Sequence, residues 1–320
     1  MIGISEIEAA AGLIAPHVVR TPTVASPGLG ALLGVPVTAK LELLQRTGSF
    51  KARGAAAKLL SLSEAERAAG VVAVSGGNHG IALAVMAAAL DVKATVVIPR
   101  TAPARSLALA EEAGASLRLT DGMDGAFALG MRLADEGRTL VHPFDDPAVI
   151  AGQGTVGLEL AEDADDGLTD VLVSIGGGGL ISGIAAALRA RRPGVRVWGV
   201  ETAGAEAMSA ALKAGGPVPV PLSSLVTTLS APSVCRLTYD HTAELVEDVL
   251  VVPDREAVRG CLDLSTHAKL WAEPAAGCLL PAAREILSRV GPAAHLGLVV
   301  CGGNTTLAEV TDWAERFGLG

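Results

Sequence analysis

Short apolar segments alternate with helical stretches over much of the chain, and this alternation constrains the fold more than any other feature. The first predicted strands lie at 36–43, 71–75, 94–99, 116–120 and 139–144, with helices at 79–90, 103–113 and 124–136. A second set has strands at 171–175, 195–201 and 296–300 and a helix at 180–191. Continuous apolar strands separated by helices form parallel sheets covered on both faces. The sequence therefore predicts two open parallel-sheet α/β units.

Composition and charge exclude several classes of partner. Hydrophobic residues make up 50% of the 320 residues, as expected of a globular core. Aromatic residues are only 2% and the formal net charge is −9, so we expect no nucleic acid and no anionic membrane surface as partner. The apolar runs are too short to span a bilayer, and no signal peptide is evident. Four scattered cysteines without a C-x-x-C pair favour a cytoplasmic location.

Lys51 follows a turn and lies in the first turn of a predicted helix, with Ser49 as the candidate N-cap. The helix dipole disfavours a cation at this end, so the amine should lose its proton easily and be ready to form a Schiff base. The alternative is an ordinary solvated surface lysine. Phe50 would be a flat wall for a cofactor ring, or else a normal core residue.

Two glycine-rich segments each join a predicted strand to a predicted helix. Ser75, Gly76, Gly77, Asn78 and His79 form the first, which would bind a carboxylate through its backbone N–H groups, unless it is only a tight turn. The second consists of four consecutive glycines, which suit a phosphate wrapped by several N–H donors: Gly176, Gly177, Gly178 and Gly179. No register of this run gives G-x-G-x-x-G, and no Lys-Ser or Lys-Thr follows it, so a dinucleotide site and a P-loop are both disfavoured.

Cys301 lies at the end of the last predicted strand, where ligands of open parallel sheets bind. It either faces a cofactor's ring nitrogen or is a buried structural thiol.

Together these segments resemble the pyridoxal-phosphate enzymes of fold type II, in the threonine dehydratase and serine racemase branch. The resemblance covers residues 48–55, 75–79, 142–147, 150–155, 176–183 and 273–275. It implies two open parallel-sheet α/β domains with pyridoxal 5′-phosphate in the cleft between them. Residues 1–66 and 145–320 would form the large cofactor-binding domain, and 67–144 the small domain. It also implies a homodimer.

The resemblance assigns a role to each matched position. Lys51 would hold the cofactor and shuttle the α-proton, and Phe50 would flank the ring. The segment from Ser75 to His79 would bind the substrate carboxylate, with Ser75 also counted as catalytic and Asn78 at the cofactor's 3-oxygen. Gly176 to Gly179 would cradle the phosphate, and Cys301 would meet the pyridine nitrogen.

Three positions depart from the family pattern. Racemases carry a second serine where this chain has Gly76, so we expect racemisation to be weak or absent. Some relatives bind a divalent cation, and Glu201 and Ala205 match two of its ligand positions; Ala207 replaces the third ligand, so we expect no metal. The Ala-Asp-Gly segment of the dehydratases is replaced by residues 229–231, which leaves the substrate's side chain open.

We expect an ammonia-lyase that performs α,β-elimination on a β-hydroxy amino acid such as L-threonine or L-serine, giving a 2-oxo acid and ammonia. The alternatives are a β-replacement synthase, a racemase and a cofactor-binding protein without turnover. A neutral thiol at Cys301 would leave the ring nitrogen unprotonated, which suits elimination better than transamination. With 320 residues, we expect no feedback inhibition through a C-terminal amino-acid-sensing domain.

Overall fold

The computed structural model describes residues 1–319 of the chain. Its helices are α1 (Ile4–Ile14), α2 (Pro27–Leu33), α3 (Lys51–Leu60), α4 (Glu64–Ala69), α5 (Asn78–Ala89), α6 (Ala104–Glu112), α7 (Met123–Asp135), α8 (Pro147–Asp163), α9 (Gly179–Arg191), α10 (Ala207–Ala214), α11 (Arg236–Leu245), α12 (Asp254–Asp263), α13 (Pro274–Gly277), α14 (Leu279–Val290) and α15 (Leu307–Arg316). Its strands are β1 (Thr23–Ala25), β2 (Val37–Lys40), β3 (Val71–Val74), β4 (Ala94–Pro99), β5 (Ser116–Thr120), β6 (Thr139–Leu140), β7 (Asp170–Ser174), β8 (Arg196–Thr202), β9 (Asp248–Val252) and β10 (Leu296–Val299).

The strands form two separate sheets. The larger has six strands in the order β1-β2-β10-β7-β8-β9, and the smaller has four in the order β5-β4-β3-β6. In the larger sheet, Leu298 of β10 lies opposite Ala39 on one side and Leu172 on the other, both in parallel pairs. All pairs are parallel except β1 with β2, which run antiparallel. The predicted pair of parallel-sheet α/β units is confirmed.

The predicted elements differ from the structure in a few places. The strand expected at 139–144 is only Thr139–Leu140, since residues 141–146 leave the sheet and lead into α8. Strands β1 and β9 at the two edges of the larger sheet were not predicted. The strand expected at 36–43 is only Val37–Lys40, and its four residues are all buried. The division at residues 66 and 144 stays a prediction.

Both sheets are covered on their two faces, as parallel strands require. Every residue of β3 and of β7 is buried. One apolar cluster joins α3 and α5 to the smaller sheet, through Ala56, Leu83 and Val71 among others. Within residues 1–319, no helix combines the length and the apolar character that crossing a membrane would need.

Helix α8 crosses both α3 and α9 at very short range. A Cβ on Gly152 would lie 2.7 Å from the Arg53 carbonyl oxygen, and one on Gly183 would lie 2.5 Å from the Ile150 carbonyl oxygen. Real Cβ atoms do not approach backbone this closely, so only glycine allows these crossings. The start of α3 and the start of α9 are therefore held at fixed positions along the same helix.

A buried network of charges ties α3 to α8 and to β2. The Arg53 guanidinium is fully buried and pairs with Glu42 at 2.8 Å and with Glu159 at 2.6 Å. Lys40 pairs with Glu159 from the other side at 2.5 Å. Two basic and two acidic side chains thus compensate one another, which buried charges need. Since Arg53 lies two residues after Lys51, the network fixes the beginning of α3.

Candidate active site

Lys51 is the first residue of α3, but Ser49 is not the N-cap. Phe50 occupies the N-cap position in a helical conformation and has no side-chain capping bond. The Ser49 backbone instead pairs with Gly302 as an isolated bridge, and its hydroxyl is buried without a hydrogen-bond partner. The predicted N-cap is therefore wrong, because the bridge to Gly302 places Ser49 one residue before the helix boundary.

The Lys51 amine is partly buried beside the Pro143 carbonyl and the Phe50 ring. Nζ donates a hydrogen bond to the Pro143 carbonyl oxygen at 2.9 Å and lies 5.1 Å from the centre of the Phe50 ring. Burial lowers the pKa of Lys51 to about 8, and the neighbouring Cys301 has a smaller opposite effect. Desolvation, and not the helix dipole that the sequence suggested, is the main cause of this lowered pKa.

The segment from Ser75 to His79 connects β3 to α5, with Gly77 as the N-cap. The Gly77 N–H donates to the Ser75 hydroxyl at 3.2 Å, while Ser75 and Gly76 are partly exposed. The first N–H groups of α5 have no acceptor within the helix, so they are available to an anion. The segment therefore presents backbone N–H donors at the start of α5.

The His79 ring is hydrogen-bonded to the backbone just after β6. Its Nε2 lies 2.8 Å from the Val141 carbonyl oxygen, and burial lowers the pKa of His79 to about 3. The ring is therefore neutral, and Nε2 must carry the hydrogen because a carbonyl only accepts. The imidazole joins α5 to the end of the smaller sheet.

The four glycines connect β7 to α9, and their conformation leaves no room for side chains. Gly178 is the N-cap of α9 with φ at 92°, a left-handed conformation that favours glycine. A Cβ on Gly177 would lie 2.0 Å from the Phe144 ring, and one on Gly176 would lie 3.2 Å from the Leu229 carbonyl oxygen. The loop is thus a bare backbone surface at the start of a 13-residue helix. These features fit a phosphate group.

Cys301 lies two residues after the end of β10 and is 2% exposed. Its Sγ lies 3.3 Å from the Ser174 hydroxyl at the end of the adjacent strand β7. Burial raises the pKa of the Cys301 thiol to about 12, so the group is a neutral thiol near pH 7. The residue lies at the carboxyl ends of the strands, where the sequence predicted it.

Sequence reasoning did not assign a role to Glu273, which the structure places against Asn78. Asn78 Nδ2 lies 2.9 Å and 3.1 Å from the two carboxylate oxygens of Glu273, although the residues are 195 positions apart. Asn78 Oδ1 accepts from Asn304 Nδ2 at 2.8 Å, and the same nitrogen donates to the Thr47 carbonyl oxygen. The only signal in the sequence was the position of Glu273 within the family-like segment 273–275.

The substituted segment 229–231 and Thr228, which precedes it, contact the two glycine-rich loops. The Leu229 carbonyl is next to Gly176, and a Cβ on Gly77 would be 3.8 Å from Thr228 Cγ2. Residues 228 and 229 therefore lie against both the segment 75–79 and the loop 176–179.

The residues considered for a divalent cation have other contacts. Both oxygens of Glu201 accept hydrogen bonds from the start of α10, from Met208 N at 2.7 Å and Ser209 N at 2.9 Å. Ala205 and Ala207 are fully buried. Among residues 1–319, no group of three or more His, Cys, Asp or Glu side chains is arranged to hold a metal ion.

Known proteins share this fold and sequence along nearly the whole chain. Residues 14–302 match the family described as "Pyridoxal-phosphate dependent enzyme". The chain is 37% identical to an L-threonine ammonia-lyase of Thermotoga maritima over 95% of this chain and 76% of that protein. It is also 37% identical to a phenylserine dehydratase of Ralstonia pickettii, over 90% of this chain and 87% of that protein.

A solved structure of maize serine racemase superposes with a TM-score of 0.91 at 33% identity, covering 99% of this chain and 98% of that chain. The fold is thus fold type II, and the cofactor is pyridoxal 5′-phosphate. The amine, the two bare loops and the neutral thiol all lie in the matched region. The chain therefore belongs to the pyridoxal-phosphate dependent enzymes, in the branch that includes threonine dehydratases and serine racemases.

Proposed function

We propose that the protein is an ammonia-lyase that eliminates the β-hydroxyl group of a β-hydroxy amino acid, of the L-threonine or L-serine type. The observation that carries the proposal is the Lys51 amine, whose pKa is lowered to about 8 and which lies beside the Pro143 carbonyl. Relatives named L-threonine ammonia-lyase and phenylserine dehydratase support the reaction class.

Five groups of this chain would hold the cofactor. Lys51 would bind its aldehyde, the N–H groups of the loop 176–179 its phosphate, Phe50 its ring face, Asn78 its 3-oxygen and Cys301 its ring nitrogen. When bound, pyridoxal 5′-phosphate supplies an electron-withdrawing ring that acidifies the α-hydrogen of an attached amino acid.

Lys51 is the group that moves the proton. With a pKa of about 8, roughly a tenth of free Lys51 amines are neutral at pH 7, far more than for an ordinary lysine. A neutral amine accepts the α-hydrogen, and the Pro143 carbonyl oxygen orients its nitrogen. A base with a pKa near the working pH is the efficient choice for this transfer.

The segment 75–79 would hold the substrate carboxylate through the free N–H groups at the start of α5, with the Ser75 hydroxyl beside them. Thr228 closes this side of the cleft opposite Gly77. The β-hydroxyl leaves as water, with the α-proton that Lys51 removed balancing the departing hydroxide. The released enamine takes up one water and hydrolyses to a 2-oxo acid and ammonia.

Gly76 bears on the racemase alternative. It has no hydroxyl group to donate a proton, and a Cβ there would lie 2.9 Å from the Ala102 Cβ. A serine could not enter this position without a shift of the neighbouring backbone. The elimination is thus favoured over racemisation, although the fold is shared with serine racemases.

The test is release of 2-oxo acid and ammonia from serine, threonine, 3-phenylserine, 3-hydroxyaspartate and O-acetylserine. We expect turnover of at least one β-hydroxy amino acid, and none after Lys51→Ala. Lys58→Ala is the matched control, because Lys58 is on the same helix but pairs with Asp146. Turnover of O-acetylserine alone, with an added thiol, would indicate β-replacement; chiral inversion without 2-oxo acid would indicate a racemase.

If the protein binds pyridoxal 5′-phosphate but converts none of these substrates, the alternative of a cofactor-binding protein without turnover is supported. We further propose a cytoplasmic homodimer, which light scattering of the purified protein tests for the oligomeric state.

A further inference from the structure

Glu273 is a buried carboxylate without a basic partner, and it lies where the two α/β units meet the cleft. It is 4% exposed, and its N–H donates to the Gly302 carbonyl oxygen at 3.1 Å. No Lys, Arg or His within residues 1–319 forms an ion pair with it. A carboxylate in this position costs free energy unless hydrogen bonds compensate it, so a role beyond packing is expected.

The hydrogen bonds around Asn78 determine which way its amide points. Burial raises the pKa of Glu273, but its carboxyl group keeps an acceptor oxygen in either protonation state, and the Asn78 nitrogen faces it at 2.9 Å and 3.1 Å from the two oxygens. The Asn78 oxygen must then face the Asn304 nitrogen, which is 2.8 Å away. A reversed amide would place two acceptors against each other and two donors against each other. Glu273 and Asn304 thus favour the same orientation of Asn78, Glu273 through the amide nitrogen and Asn304 through the amide oxygen.

This orientation decides what Asn78 can offer a ligand. Its oxygen is occupied by Asn304, while its nitrogen carries two hydrogens and both close contacts of that nitrogen are to a single carboxylate. The second hydrogen of Nδ2 is therefore available as a donor. An acceptor such as the cofactor's phenolic 3-oxygen suits a donor and would be repelled by an amide oxygen.

We propose that Glu273 is a positioning residue for the cofactor: it orients the Asn78 amide so that an N–H, and not the amide oxygen, faces the 3-oxygen. The proposal rests on the role of Asn78 in the proposed function. It assigns Glu273 no contact with substrate and no proton transfer. Its action passes entirely through Asn78.

The test is the dissociation constant of pyridoxal 5′-phosphate, titrated into cofactor-free protein and followed by absorbance. Asn78→Ala and Glu273→Ala should each weaken binding by at least about tenfold, the effect of losing a hydrogen bond to a charged group. If Glu273 acts through Asn78, the double variant should bind within about twofold of the single variants. Independent losses that multiply in the double variant would overturn the proposal.

Glu273→Gln is the rescue variant, because its amide oxygen still accepts from Asn78 Nδ2. We expect its affinity to stay within about threefold of the wild type, well above that of Glu273→Ala. Asp170→Asn is the control for loss of a buried carboxylate, since Asp170 lies at the other end of β7 and bonds Arg196 and Trp198. It should lower thermal stability and leave cofactor affinity unchanged.

If Glu273→Ala is too unstable to isolate, Glu273→Gln and Asn78→Ala still decide the question: equal affinities for these two variants would refute the positioning role. Unchanged cofactor affinity in every Glu273 variant would also refute the positioning role. The proposed function would be unaffected by that result if the wild type still releases 2-oxo acid. Failure of the wild type to release 2-oxo acid would instead refute the proposed function.

Discussion

Replacing Lys51 by methionine in the cofactor-free protein should raise stability, and by an amount that depends on pH. Burial lowers the pKa of Lys51 from 10.5 to about 8, so the folded chain releases this proton more easily than the unfolded chain. Between pH 8 and 10.5 the unfolded state therefore binds more protons, and wild-type stability rises with pH through that window. Below pH 8 the full cost of the buried charge is present.

The size of the effect follows from the pKa of Lys51, which is lower by about 2.5 in the folded than in the unfolded chain, and each pKa unit corresponds to about 1.36 kcal/mol. The buried ammonium thus costs about 3 kcal/mol at pH 7. Methionine removes this cost but also loses the hydrogen bond to Pro143, worth about 1 kcal/mol. We expect Lys51→Met to be more stable by about 2 kcal/mol at pH 7, with the advantage falling as pH rises to 10.

Guanidinium denaturation of both proteins at pH 7, 8, 9 and 10 measures the difference in the free energy of unfolding. Lys58→Met controls for loss of a lysine side chain from the same helix. If the free energies of unfolding of wild type and Lys51→Met differ by the same amount at all four pH values, Lys51 is not a desolvated amine.

Three further predictions concern other parts of the structure. Arg53→Met leaves the buried Glu42 without a basic partner and Glu159 with Lys40 alone, and should cost about 3–5 kcal/mol of unfolding free energy by denaturation, against less than about 1 kcal/mol for Arg138→Ala on the surface; similar losses would contradict the buried network. Cys235 should be the first thiol alkylated at pH 8 by mass spectrometry, since the other three are buried, and fast labelling of Cys301 would show that it is not enclosed. Gly76→Ser should lower the rate of 2-oxo acid release, and Ala102→Gly should restore it in the double variant; loss of activity without such recovery would mean that Ala102 is not the obstacle.

The sequence was sufficient for those parts of the fold that depend on local pattern. Strands β4 and β5 have the predicted bounds, because runs such as 94–99 are apolar and end at clear turns. Strand β1 has only three residues and two of them are exposed, so its conformation comes from pairing with β2 and not from its own composition. Its antiparallel direction could not be read from residues 23–25.

In the candidate site too, residues with a local sequence pattern could be predicted, whereas contacts between distant residues could not. Gly178 and its neighbours were identifiable because a run of glycines costs more backbone entropy than an ordinary turn requires, and Cys301 because it ends a strand. The Asn78–Glu273 contact joins residues 195 positions apart, and a glutamate carries no mark of its burial in the sequence. The lowered pKa of Lys51 was expected, but its main cause is burial by tertiary packing, which local reasoning could not place.

The crossings of α8 with α3 and α9 have a consequence for how such an enzyme can change. Gly152 and Gly183 let α3 and α9 pack directly against α8. The spacing between the start of α3, which carries Lys51, and the loop 176–179 before α9 is therefore set by backbone contacts and not by side chains. Residues 75–77 and 228–229, which contact each other through Gly77 and Thr228, take no part in these helix crossings. We therefore expect substitutions at those positions to change which substrate the proposed enzyme accepts and to leave the proposed cofactor site in place.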